Sequence, residues 1–110
     1  MDFYEMQKKA YETACLKGWH DKPVTFGEMI ALVHSELSEA LEEHRGGHKI
    51  NETYYREEDG KPEGIPSELA DVVIRLLDIC GHLNIDLEAA IIEKMRFNES
   101  RPYRHGGKKL

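Results

Sequence analysis

The stretch Leu69–Cys80, LADVVIRLLDIC, decides how this chain is read. Its apolar residues cover well over half the circumference of a helix, with Asp71, Arg75 and Asp78 confined to what remains. Strict alternation, the mark of a half-buried strand, is absent. Pro66 stands where a first helical turn favours proline, so the helix is expected from near Pro66 to about Leu83 and should be the most buried element. Working outward, the preceding segment from Thr25 carries Phe26, Met29, Ile30, Val33, Leu37, Ala40 and Leu41 at helical spacing. Thr25 and Glu28 have capping-box spacing at its start, and Gly46–Gly47 closes it. A first helix is expected from about Asp2 to Lys17, ended by Gly18, and a fourth from the Asp86 cap to roughly Asn98. The expected fold is all-α: a single four-helix bundle-like domain over residues 1–110, completed by dimer or tetramer association.

Bulk properties narrow the function. One compact domain is all that 110 residues allow, and at this size self-association is a natural way to deepen the core. The formal charge of −6, from 15 Lys and Arg against 21 Asp and Glu, argues against a nucleic-acid polymer as partner. Cys15 and Cys80 form no metal or disulfide spacing, no apolar run reaches the roughly 20 residues needed to span a bilayer, and MDFYEMQKK lacks the order of a signal peptide. A cytoplasmic protein without a membrane partner is expected. Residues 46–65 join helices two and three. Their charge and glycine content favour a flexible loop, while Tyr54 and Tyr55 leave open a lid over a ligand. Residues 101–110 form a basic tail.

The acids carry the chemistry. In HSELSEALEEHR, His34–Arg45, a wheel centred near Leu37 places Glu36, Glu39 and Glu43 along one flank of the apolar stripe, with Glu42 away from it. Taking Leu69, Val73, Leu76 and Cys80 as the stripe of helix three, Glu68 and Asp71 share one flank there, followed by Arg75 and Asp78. Antiparallel packing would bring the two i, i+3 acid pairs to one level. Converging carboxylates repel unless a cation neutralises them, and oxygen donors suit Mg²⁺, with Mn²⁺ an acceptable substitute. Solvated helix flanks are the plain alternative. A di-iron bundle is disfavoured, because no Glu has a His three positions later. On helix four, Lys94 and Asn98 continue the face of Leu87 and Ile91, as groups for phosphate or sugar or as a lysine snorkelling to the surface. Histidines 34, 44, 48, 82 and 105 show no ligand spacing.

Together these residues resemble the MazG-like branch of the all-α NTP pyrophosphohydrolases. That pattern is EExxE, a spacer and ExxD; here it reads Glu36-Leu37-Ser38-Glu39, a 28-residue spacer, then Glu68-Leu69-Ala70-Asp71. LVHSELSEALEEHR, ELADVVIRLLD and EKMRFNESRPYRHGGK extend the similarity over most of the chain. Ser35 replaces the leading Glu; lying on the far side of the helix from Glu39, it is not expected to cost a primary ligand, but it leaves the metal number open. The resemblance implies a homodimer or homotetramer that hydrolyses a nucleoside triphosphate to monophosphate and pyrophosphate with Mg²⁺. It implies Glu36, Glu39, Glu68 and Asp71 as metal ligands, with Glu39 accepting a proton from water. Lys94, Asn98, Arg101 and Lys108 would contact phosphate or sugar, and Trp19 and His20 the base, the plain alternative being that Trp19 packs the corner between helices one and two. A non-catalytic interaction protein on the same scaffold is the alternative.

Overall fold

The computed structural model describes residues 1–104 and 109. Four helices carry the fold: α1 (Phe3–Leu16), α2 (Phe26–Arg45), α3 (Ile65–His82) and α4 (Leu87–Ser100). Their starts follow the capping residues. Asp2, Thr25 and Asp86 each accept a backbone N–H from three residues ahead, at Glu5, Glu28 and Ala89. The Thr25 hydroxyl also donates to the Glu28 carboxylate at 3.0 Å, so this box closes through side chains. The all-α, bundle-like fold expected from the helical periodicities is the fold observed.

Helix α3 is the hub. It supplies Ile65, Leu77, Ile79 and Cys80 to a buried core that otherwise holds Ala14, Met29 and Ala40. Both α1 and α2 pack against it. Gln7 donates to the Ile85 carbonyl and Tyr11 lies on Gly81, so α1 runs opposite to α3; Glu36 meets Arg75 while Glu39 and Glu43 lie near Glu68, so α2 does too. Close approach of α1 depends on Gly81, where an added Cβ would stand 2.7 Å from the Tyr11 Cβ.

The segment between α2 and α3 contains a short antiparallel hairpin, β1 (Tyr54–Tyr55) with β2 (Pro62–Glu63). No strand is legible there in the sequence, because two-residue ladders have no periodicity to read. Its tip is tied by Arg56, which donates to both carboxylate oxygens of Asp59, and by Gly60 at φ 73°. Its base is fixed by Tyr54, whose hydroxyl donates to both oxygens of Glu43 on α2 at 3.0 Å. His48 stacks on the Tyr54 ring at 4.8 Å and bonds Glu52 at 2.9 Å. Gly64 then turns the chain into α3 at φ 111°, against the Glu52 carbonyl.

Helix α4 buries none of its residues. The accessible area of 8829 Å² exceeds the roughly 6,200 Å² expected for a compact monomer of this mass. The radius of gyration, 16.7 Å, likewise exceeds the roughly 13 Å of a compact 100-residue chain. No helix is long and apolar enough to cross a membrane among the described residues.

Candidate functional site

The seam between α2 and α3 is rotated from the one expected. On α2 the inward residues are Met29, Val33, Glu36, Ala40 and Glu43, whereas Phe26, Leu37 and Leu41 remain exposed. Glu36 therefore stands inside the seam rather than on its flank. The apolar arc of α2 is wider than α3 can cover, and a helical wheel cannot tell which half is covered. On α3, Leu69 and Val73 are similarly exposed, and the polar side with Glu68, Asp71, Arg75 and Asp78 turns towards the other helices.

This rotation brings three acids together. One carboxylate oxygen each from Glu36, Glu68 and Asp71 lies within 4.8 Å of the others. Glu39 lies outside that triplet and is exposed, yet close enough for its charge to act on Glu68. Burial, then the charges of Asp71, Glu39, Glu36 and Glu43, push the Glu68 carboxyl above its ordinary range. Asp71 is raised by burial and by Glu36, against the opposing pull of Lys61 and Arg75. Such shifts mark repulsion that is only partly relieved. Part of the relief comes from Arg75, whose Nη2 donates to Glu36 Oε1 at 2.8 Å.

The donor set fits a hard divalent ion. It is all oxygen, with no thiolate or imidazole, and the spread of 4.8 Å is slightly wider than the roughly 4.2 Å across an Mg²⁺ octahedron. A small rotamer change at exposed Asp71 narrows the difference. No family model matches the chain, and neither the curated proteins nor the solved structures contain a match.

Next to the triplet, a groove of about 780 Å³ runs between α1, α2 and α3, with Glu36 and Asp71 on its wall. Met6, Ala10, Met29, Leu32 and Ile74 make it largely apolar, and its size falls within the range of small-molecule sites. Trp19 and His20, expected at the base, both line it. Trp19 is 65% exposed and has no aromatic partner among the described residues. His20 bonds Asp78 at 2.7 Å and stacks on His82 at 4.1 Å.

The α4 residues are placed differently. Lys94 Nζ lies over the Phe97 ring at 5.7 Å and the Arg101 guanidinium over the same ring at 5.6 Å. Lys94, Asn98 and Arg101 form no hydrogen bond or ion pair with the triplet among the described residues, and α4 contributes nothing to the groove. Lys108 and His105 lie outside the described residues. Ser35 donates to the Leu32 carbonyl of its own helix at 2.7 Å, away from the acids. Sequence reasoning missed the Glu36–Arg75 pair and the Asp78–His20–His82 cluster. The spacing of Asp71, Arg75, Asp78 and His82 along one side of α3 was the available signal.

Proposed function

We propose that this chain is an Mg²⁺-dependent nucleoside triphosphate pyrophosphohydrolase that acts as a homo-oligomer. The observation that carries the reading is the meeting of Glu36 with Glu68 and Asp71 beside a groove lined by Trp19 and His20. One acid of the α2 pair and both acids of the α3 pair, separated in sequence as in the MazG-like pattern, supply that meeting.

In this reading Glu36, Glu68 and Asp71 would hold Mg²⁺, and Glu39 could join them from the next turn of α2. A bound Mg²⁺ would neutralise triphosphate charge and acidify a coordinated water. The chain's own residues then bind, orient and move protons. Glu39 is exposed and free of a salt-bridge partner among the described residues, which leaves it able to take a proton from water. Arg75, which pairs with Glu36, could instead pair with a substrate phosphate, since a guanidinium suits either. Trp19 offers an open indole face to a base. Lys94, Asn98 and Arg101 reach phosphate or sugar from a neighbouring copy's α4 or by docking of their own. Exposed Leu37, Leu41, Leu69 and Val73, with the excess of accessible area, support association of copies through these helices.

The Glu36–Arg75 pair favours one other reading, because it relieves the acids without a metal: a non-catalytic helical interaction protein. Pyrophosphate release from a panel of ribo-, deoxy- and damaged nucleoside triphosphates separates the two. Turnover that needs Mg²⁺ and is lost in Glu39→Gln and Asp71→Asn is expected. No turnover on any substrate, with unchanged metal binding in both variants, would favour the interaction protein.

A further inference from the structure

The groove holds one polar device that metal binding and hydrolysis leave unused. Asp78 and His20 face each other on its wall with side chains only 17% and 16% exposed. An ionised carboxylate only accepts, so the His20 Nε2–H donates to Asp78 Oδ1 at 2.7 Å. The imidazole is held by its stack on His82, rings 15° apart, and by the Tyr11 ring at 5.4 Å. Asp78 Oδ2 has no hydrogen-bond partner among the described residues. Asp78 Oδ2 is thus an open acceptor on the wall of a largely apolar groove, and a ligand that brings a donor there gains a charge-assisted hydrogen bond.

Position says which part of a ligand would do so. Asp78 follows Asp71 by seven residues, two turns or about 10 Å along the same side of α3. That separation is comparable with the reach of a nucleoside from its 5′ oxygen to the pairing edge of its base. A triphosphate at Glu36, Glu68 and Asp71 therefore sets the base between Trp19 and Asp78.

Resting on the nucleotide reading above, we propose that Asp78, with His20 as its positioning residue, selects a guanine base. Guanine presents two adjacent N–H donors, N1–H and the 2-amino group, to an acceptor-only carboxylate. Adenine and cytosine set a ring-nitrogen acceptor beside their amino group, and uracil flanks its single N–H with two carbonyl oxygens. Each of these would aim a lone pair at Asp78.

The test uses quenching of Trp19, the chain's one tryptophan, by the four nucleoside monophosphates, with and without Mg²⁺. The wild-type protein is expected to bind guanosine monophosphate about 10- to 100-fold more tightly than adenosine monophosphate. Asp78→Asn keeps an acceptor for His20 and offers an acceptor–donor pair, so the preference should move towards adenine. His20→Gln should narrow the guanine-to-adenine ratio, a readout that loss of packing alone would not move. Equal quenching by all four bases, or an unchanged ratio in Asp78→Asn, would overturn the assignment, and the wild-type ranking decides even where a variant fails to fold. Pyrophosphate release without guanine preference would overturn this inference and leave the hydrolase standing. Guanine-selective quenching without turnover would do the reverse, and quenching by none of the four would overturn this inference, with pyrophosphate release still deciding the hydrolase.

Discussion

Replacing Asp71 with Asn should stabilise the metal-free protein and destabilise it, relative to wild type, when Mg²⁺ is present. The acid oxygens of Glu36, Glu68 and Asp71 lie within 4.8 Å of one another. Two unit charges at that separation repel by about 0.9 kcal/mol in water and about 3.5 kcal/mol at an effective dielectric of 20. Asp71 is exposed, which places it towards the lower figure. Part of the gain is offset by lost attraction to Arg75 and Lys61, both of which act on Asp71. A net stabilisation of about 0.5–1 kcal/mol remains, worth about 2–6 °C in Tm for a domain near this size. With Mg²⁺ at 100 times its Kd, wild type would gain about 2.7 kcal/mol and the variant little, so the order of melting reverses. Thermal denaturation followed by circular dichroism, in EDTA and then in Mg²⁺, reads both signs. A variant that melts below wild type in EDTA would refute the repulsion argument. A full Mg²⁺-dependent shift retained by the variant would refute Asp71 as a ligand.

Because Glu68 and Asp71 are raised, the native state holds more protons than the unfolded chain from about pH 4 up to their folded values. Their contribution to metal-free stability therefore falls as pH rises through that window and should recover with Mg²⁺. Glu52 and Asp59, lowered by His48 and Arg56, act with the opposite sign, so the quantity to measure is wild type minus Glu68→Gln across pH. A difference that is flat with pH would contradict the shift at Glu68. Gly81→Ala should cost about 1–3 kcal/mol by denaturant titration, although alanine normally favours a helix, because the new Cβ meets Tyr11 at 2.7 and 3.1 Å. Tyr54 ionises only near pH 12, held neutral by burial and by Glu43; ultraviolet titration of wild type against Tyr54→Phe should assign that late step. Leu37→Lys should leave helicity intact and lower the mass seen by light scattering. An unchanged mass would count against association of copies through Leu37.

The fold was largely legible because its strongest signals are local. LADVVIRLLDIC is apolar enough to demand burial from several sides, and α3 is indeed the hub; Thr25 and Asp86 cap where their side chains predict. What the sequence withheld depends on which surfaces meet. Leu37 sits at the centre of the apolar stripe of α2 and is nevertheless 52% exposed, while Glu36 is turned into the seam. Periodicity measures the width of an apolar arc but not the part that one neighbour covers. The acidic site was legible in the same measure: Glu36, Glu68 and Asp71 converge, and Glu39 stands one turn aside. Arg75 and Asp78 read as ordinary polar flank until the antiparallel packing of α2 and the turn holding His20 place them against Glu36 and the groove. Lys94 and Asn98 share a face with Leu87 and Ile91, but α4 buries none of its residues among the described ones.

A pyrophosphohydrolase cuts the bond between the α- and β-phosphates, and with an all-carboxylate donor set the cutting should require Mg²⁺. Phosphorus NMR of a nucleoside triphosphate incubated with the protein and Mg²⁺ reads both at once. Nucleoside monophosphate and pyrophosphate are expected in equal amounts, with none in EDTA and none with Glu68→Gln. Nucleoside diphosphate with orthophosphate, or pyrophosphate that persists in EDTA, would refute the proposed activity.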